Sequence, residues 1–305
     1  MRALFFTVLF TVAVAAQAGY VPERVYDNAH REFTDFEMML ADVAKADVVF
    51  VGEQHDDPNT HRLELAILQG VARRRDGVSV GFEMFERDVQ EPFDHFQMGH
   101  LDEAGFLKDA RPWPNYQTDY KPLVDFAVAK NWPMFASNVP RAMASDVSKT
   151  GFDALKTKSA EESKWFAKDR QCPVGDSYFK RFSAAMADHP ADGKAPPAAD
   201  AAKNRQSVER FYDAQCLKDE TMAESIAQAY AIGAIGGKHP IVVHFNGAFH
   251  SDFAEGTADR TKRRLPGKRI VVLSIVPVQN LDALAPAKDE RKRADYLIYT
   301  IGKKP

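Results

Sequence analysis

The sequence predicts an α/β fold, a mainly parallel sheet flanked by helices with an inserted helical subdomain that could act as a lid. Short apolar runs rich in β-branched residues alternate with helical stretches, which is typical of a parallel sheet. Between the runs near residues 133 and 241, roughly a hundred residues show no strand pattern. The chain has 305 residues, 45% hydrophobic and 27% charged, which excludes a disordered or collagenous protein.

The N-terminal residues have the features of a secretory signal. Arg2 supplies a positive charge, residues 3–15 are apolar, and Ala16 and Ala18 form a small-x-small cleavage pattern. We therefore expect a signal peptide over 1–18, a mature domain over 19–305, and a periplasmic or secreted protein. The apolar run is shorter than the ~20 residues of a membrane-spanning helix, and no Cys follows it as a lipid acceptor.

The first elements can be predicted from local signals. Thr34 and Glu37 are spaced as a capping box, and Phe33 and Met38 as a hydrophobic staple, which predicts a helix through Met39 and Leu40. The β-branched run at 47–51 predicts a strand. Asp57 and Pro58 then suit the N-cap and first turn of a second helix, whose buried face would carry Leu63, Ile67 and Val71.

Five further strands are predicted at 78–82, 133–136, 241–245, 270–275 and 296–301. The helical insertion extends over about 142–235, with helices around Lys164, Phe179, Phe211 and Ile226. Its middle, residues 188–200, is rich in Pro, Ala and Asp and lacks apolar periodicity, so we expect a mobile surface loop there.

Polar residues follow several predicted strands. Glu53 and His55 follow the first, Glu83 follows the second, and His250 follows the strand at 241–245. Because the carboxyl ends of parallel strands share one edge of the sheet, these four side chains are expected to form one pocket. Imidazoles and carboxylates suit a divalent metal site or general acid/base catalysis. His61, on the first turn of a helix, is interpreted as structural.

A polar loop contains the large aromatic residues Trp113, Tyr116 and Tyr120. They could contact a flat apolar cofactor, and a tyrosinate would bind ferric iron. Packing of the loop against the sheet explains the same residues equally well.

The charge and cysteine content exclude other classes. A formal net charge of -3 without a long basic run argues against nucleic acid as a partner. The two cysteines, Cys172 and Cys216, do not form a Cys-x-x-Cys motif, which excludes covalent c-type haem and Cys-rich zinc sites. In an oxidising compartment they could pair, and two free buried thiols are an equal alternative.

Six motifs in order resemble the ChaN-like family of haem-binding uptake proteins, within a superfamily that includes the Tiki, TraB and erythromycin esterase-like proteins. They occupy residues 51–56 with His61, 83–90, 113–123, 137–141, 219–223 and 246–250. The resemblance implies an α/β core with a helical subdomain, and in haem-binding members a homodimer that holds stacked haems through a Tyr ligand. It assigns Glu53, His55, Glu83 and His250 to the shared polar site, and Tyr116 or Tyr120 to the iron.

Two functions follow as expectations. The first is a periplasmic haem-binding protein of haem and iron uptake, with non-covalent haem, Tyr ligation by Tyr116 or Tyr120, and Trp113 against the porphyrin. The second is a Tiki-like metal-dependent hydrolase, a peptidase or esterase that holds a divalent metal ion with Glu53, His55, Glu83 and His250. The sequence identifies neither a substrate nor the transporter or receptor that would accept the haem.

Overall fold

The structure, a computed structural model, describes residues 20–188 and 201–302. The predicted signal peptide and nearly all of the predicted mobile loop lie outside the described residues. No helix within the described ranges is long and apolar enough to cross a membrane.

The described strands form a single sheet of eight with the order β2-β1-β8-β7-β3-β6-β4-β5. The strands are β1 (Glu23–Asp27), β2 (Glu32–Thr34), β3 (Val48–Glu53), β4 (Val78–Glu86), β5 (Met134–Asn138), β6 (Ile241–Gly247), β7 (Ile270–Val278) and β8 (Tyr296–Ile301). The six strands β3 to β8 are mutually parallel, and β1 is antiparallel to both β2 and β8. The predicted mainly parallel α/β sheet is confirmed.

Nine α-helices lie in the described ranges. They are α1 (Phe36–Val43), α2 (Pro58–Ala72), α3 (Gln90–Gln97), α4 (Glu103–Ala110), α5 (Lys121–Ala129), α6 (Arg141–Thr150), α7 (Ser177–Asp188), α8 (Ala201–Gly233) and α9 (Thr257–Arg264). The segment from β5 to β6 contains α6, α7, α8 and short 3₁₀ turns. A single π-helical turn, Tyr116–Tyr120, precedes α5.

The sheet is buried on both faces, and β3 shows how side-chain alternation divides the core. Val49 and Val51 pack in the cluster that contains the buried sides of α1 to α5. Val48 and Phe50 pack on the opposite face, against Ile226 of α8. Because side chains alternate along a strand, Glu53 points to the same face as Val49 and Val51, toward α2 and the turn before α5.

Two local predictions were wrong. Thr34 ends β2, and the side chain of Asp35 caps α1 by accepting the backbone N–H groups of Glu37 and Met38 at 2.7 and 3.1 Å. Met38 is 66% exposed, so it does not form a staple with Phe33, which packs on Tyr26. The N-cap of α2 is confirmed, since Asp57 Oδ1 accepts the backbone N–H of Thr60 at 2.9 Å.

Candidate functional site

Three adjacent strands bring the predicted polar residues to one edge of the sheet. β6 lies between β3 and β4, and Glu53 of β3 is in register with Gly247 of β6. Glu53, His55, Glu83 and His250 line the same cavity, which has a volume of about 670 Å³. The parallel topology explains this convergence of residues that are almost two hundred positions apart in the sequence.

His250 is held between two carboxylates. Its Nδ1 lies 2.7 Å from Asp219 Oδ1, and its Nε2 lies 3.2 Å from Glu83 Oε1. Burial alone would lower the pKa of His250, but the charges of Glu83 and Asp219 outweigh it and raise the pKa to about 10. His250 is therefore an imidazolium at neutral pH, and it donates hydrogen bonds from both ring nitrogens.

Asp219 was not predicted as a site residue, although it begins one of the family-like motifs. It is fully buried on α8, where Thr257 donates to Oδ1 at 2.8 Å and the Tyr178 hydroxyl donates to Oδ2 at 2.7 Å. Nothing in the local sequence pairs Asp219 with His250, because the two residues meet only when α8 packs against the end of β6. Its carboxylate is fixed by three donors and in turn orients the imidazole of His250.

Glu83 adjoins both histidines of the cavity, His55 and His250. Its Oε2 accepts the backbone N–H of Gly247 at 2.7 Å. Burial would raise the pKa of Glu83, but the nearby imidazoles of His250 and His55 and the Gly247 N–H outweigh that effect and lower it. Glu83 is thus a carboxylate that faces two histidines in the lining of the cavity.

His55 is the most accessible of the four predicted residues. Its side chain is 42% exposed, its Nδ1 is hydrogen-bonded to Glu53 Oε1, and its ring packs edge-on against Trp113 with centroids 5.0 Å apart. A Cβ on Gly247 would lie 2.7 Å from His55 Nε2, so only glycine allows the ring to take this position. Burial lowers the pKa of His55, but Glu53 and Glu83 outweigh it and raise the pKa.

The two tyrosines predicted as iron ligands are buried away from the cavity. Tyr116 and Tyr120 are 2% and 0% exposed, and of the three predicted aromatic residues Trp113 is the one that lines the cavity. The Tyr120 hydroxyl donates to Glu53 Oε1 at 2.8 Å. Burial raises the pKa of both tyrosines, and Glu53 raises that of Tyr120 further, so both are neutral phenols in this arrangement.

His61, interpreted from the sequence as structural, contacts the site from behind. Its Nδ1 lies 2.8 Å from Glu64 Oε2 and 3.6 Å from Glu53 Oε2. Burial, followed by the neighbouring Glu53 carboxylate, raises the pKa of Glu64 well above its ordinary range. The three-residue spacing of His61 and Glu64 places both on one face of α2, so their contact could have been predicted from the sequence.

The wall of the cavity combines apolar and cationic side chains. Phe182 and Met186 of α7 and Phe249 supply apolar surface. Besides His250, the cations at the cavity are Arg141, Lys218 and Arg293. Arg293 is paired with Asp252 at 3.0 Å, whereas Arg141 and Lys218 form no ion pair within the part of the chain that the structure describes.

Residues 39–261 match the family described as haem-binding uptake, Tiki superfamily, ChaN. The chain belongs to this family. A solved structure titled as cofacial haem binding to ChaN of Campylobacter jejuni is similar over 92% of this chain and 97% of that one, with a TM-score of 0.64 and 15% identity. That likeness supports the fold, and the family match extends across the site-bearing strands β3, β4 and β6.

Two other proteins are similar over most of this chain. The chloroplastic protein RETICULATA-RELATED 5 of Arabidopsis thaliana is 23% identical over 270 residues, which cover 85% of this chain but 34% of the Arabidopsis protein. The chain therefore spans about a third of that relative. An erythromycin esterase in its open conformation aligns over 92% of this chain and 83% of its own, with 9% identity and a TM-score of 0.44.

Proposed function

We propose that this member of the ChaN family binds haem non-covalently in the cavity at the ends of β3, β4 and β6, as a haem- and iron-uptake protein. The observation that carries the proposal is the composition of the cavity wall, which joins aromatic and thioether surface to unpaired cations. Haem is a flat apolar macrocycle with two carboxylates and a Lewis-acidic iron. Its binding site therefore needs apolar surface, cations and a ligand for the iron. The family and the haem-binding C. jejuni relative support the same ligand.

Each part of the cavity has a separate task in this proposal. Phe182, Met186 and Phe249 would cover the macrocycle, and removal of apolar surface from water contributes ~25 cal/mol per Å². Arg141 and Lys218 would pair with the propionate carboxylates, because neither is neutralised by a described acidic residue.

His55 is the accessible candidate for the iron. Its imidazole is exposed to the cavity, and the Glu53 carboxylate on Nδ1 increases the basicity of Nε2. Ligation by Tyr120 would require loss of its bond to Glu53, and ligation by Tyr116 would require its hydroxyl to leave the core. We therefore propose His55 as the iron ligand. Tyr116 or Tyr120 is the alternative, and it would require the turn at Tyr116–Tyr120 to open.

The iron ligand can be identified by absorbance and electron paramagnetic resonance of the haemin complex. We expect His55→Ala to change the spectrum and to weaken binding, while Tyr116→Phe and Tyr120→Phe retain it. His100→Ala, which removes an exposed histidine that does not line the cavity, is the matched control. A spectrum that changes in one tyrosine variant and persists in His55→Ala would assign the iron to that tyrosine.

A periplasmic or secreted location is part of the proposal. It is supported by the signal-like residues 1–18 and by the disulfide between Cys172 and Cys216, because disulfides persist in oxidising compartments. Homodimerisation and transfer of haem to a transporter or receptor remain predictions from the family resemblance.

Metal-dependent hydrolysis is a second candidate that one feature of the site favours. His55 and His250 each have Nδ1 bound by a carboxylate, Glu53 and Asp219, and both rings adjoin Glu83. Carboxylate-oriented histidines beside a further carboxylate are a common metal-binding arrangement, and a bound divalent ion lowers the pKa of water toward ~7. Hydrolysis of a peptide or ester panel that depends on added metal and disappears in His250→Ala would support this candidate. Protein without metal-dependent turnover on the panel would oppose it.

A further inference from the structure

A second group of ionisable side chains lies behind the cavity, between α2 and the end of β3. Glu53, His61 and Glu64 have side chains that are 0%, 3% and 0% exposed. One potential ligand atom from each residue lies within 4.8 Å of the others. The group shares Glu53 with the cavity, but His61 and Glu64 reach it from the opposite side.

The hydrogen bonds of His61 determine which ring nitrogen is available. Its Nε2 lies 3.1 Å from the backbone carbonyl of His55 and 3.5 Å from Asp119 Oδ2, and both of these oxygens accept hydrogen bonds. Nε2 therefore carries a proton and donates it. In the neutral imidazole Nδ1 then carries a lone pair, and the Glu64 carboxyl group donates to it at 2.8 Å.

Two oxygens of the buried carboxyl groups receive no hydrogen bond from other groups. Among residues 20–188 and 201–302, Glu53 Oε2 and Glu64 Oε1 have no donor apart from the contact between the Glu53 and Glu64 carboxyl groups themselves. Glu53 Oε2 is aimed into the group, 3.6 Å from His61 Nδ1. A divalent ion at this point would take the place of the Glu64 proton and compensate the charge of the two buried carboxylates, with which no described Lys or Arg pairs.

We propose that Glu53, His61 and Glu64 bind one divalent transition-metal ion of the zinc or manganese type. One imidazole and two carboxylates are a ligand set that such ions accept. Ligand bonds of about 2.0–2.2 Å place tetrahedral ligand atoms roughly 3.3–3.6 Å apart, close to the Glu53–His61 separation. The Glu64–His61 contact of 2.8 Å would open by about half an ångström.

The surroundings fit a metal ligand set. His61 donates its other ring N–H to a backbone carbonyl, as metal-bound histidines commonly do. Glu53 keeps its second oxygen for the Tyr120 hydroxyl at 2.8 Å and for His55. The ion would join α2 to β3 and hold the carboxylate that orients His55.

Titration of metal-depleted protein with Co²⁺ tests the site through its visible d–d absorption and through calorimetry. We expect one Co²⁺ per chain, at least tenfold weaker binding in Glu64→Gln and His61→Gln, and unchanged binding in His100→Gln. Retention of the bands in His250→Gln distinguishes this site from the cavity. The result is independent of haem binding, which is measured separately at the Soret band.

Thermal stability gives a second measurement for variants that fold poorly. Zn²⁺ is expected to raise the Tm of the wild-type protein but not that of Glu64→Gln, since a ligand that binds only the folded state stabilises it. The proposal is overturned if wild-type protein binds no Co²⁺ or Zn²⁺. It is equally overturned if Glu64→Gln binds normally while His250→Gln does not, because the metal would then occupy the cavity.

Discussion

At the scale of single residues, the site consists of histidines that are charged and oriented by buried carboxylates. His250 shows this most clearly, with Asp219 on one ring nitrogen and Glu83 on the other. Its raised pKa makes pH a probe of the arrangement. Since the folded-state pKa of about 10 exceeds the ordinary 6.5, the stabilising charge is fully present below about pH 6.5 and is lost as pH rises through about 10.

Asp219→Asn should therefore lower the stability of the protein by an amount that depends on pH. At pH 6 to 7 we expect the free energy of unfolding to fall by about 1.5–3 kcal/mol, the usual range for a hydrogen bond to a charged group. The difference from wild type should shrink as pH approaches 10. Denaturant unfolding across this pH range measures it, with the exposed Asp259→Asn on α9 as control. A constant difference at every pH would show that Asp219 does not act through the charge of His250.

At the scale of secondary-structure elements, the ends of β3 and β6 determine where His55 lies. Glu53 and Gly247 are paired in register, and the missing Cβ of Gly247 leaves room for the His55 ring. The side chain that would be displaced is 42% exposed, so it can swing outward without disrupting the core.

Gly247→Ala should move His55 and leave the fold intact. We expect the haemin complex to lose the same spectral features as His55→Ala, with about tenfold weaker binding, equivalent to ~1.4 kcal/mol. Gly77→Ala is the matched control, because a Cβ there would contact only Pro240, at 4.0 Å. Normal haemin binding by Gly247→Ala would mean that the position of His55 is not set by this strand end.

The strands also show which sequence signals were sufficient to predict an element. β3, β4 and β6 were predicted because they are continuous β-branched or apolar runs buried on both faces. β1 and β2 were missed because strands as short as Glu23–Asp27 and Glu32–Thr34, at the antiparallel edge of the sheet, contain charged residues and little periodicity.

The candidate site was partly predictable from the parallel topology of the sheet. The carboxyl ends of parallel strands must meet, so the proximity of Glu53, Glu83 and His250 followed from their positions after strands. The burial of Tyr116 and Tyr120 did not follow from the sequence, because their π-helical turn forms against the core only in the folded chain. Asp219 was missed because helix packing, not local spacing, brings it to His250.

At the scale of the whole molecule, one disulfide connects the segment before α7 to the long helix α8. Cys172 and Cys216 are separated by 44 residues, and Cys216 lies one helical turn before Asp219. The alternative of two free thiols is wrong in this structure. The cross-link thus restrains the wall of the cavity that α7 and α8 form.

Reduction of this disulfide should lower stability substantially. A loop of this length corresponds to about 4 kcal/mol in the chain-entropy model. We expect a lower Tm in reductant for the wild-type protein, and an equally low Tm for the Cys172→Ser/Cys216→Ser protein that reductant does not change further. Calorimetry with and without reductant measures both. An unchanged wild-type Tm under full reduction would show that the bond adds no stability.

Haem binding in the cavity is tested most directly by blocking the cavity mouth. Ala185 and Ala184 are adjacent exposed residues of α7, but Ala185 lines the cavity and Ala184 does not. Soret titration with haemin should give saturable binding to wild type and Ala184→Trp, and at least tenfold weaker binding to Ala185→Trp. Equal affinity of all three proteins for haemin, or no saturable binding to the wild type, would contradict haem binding in this cavity.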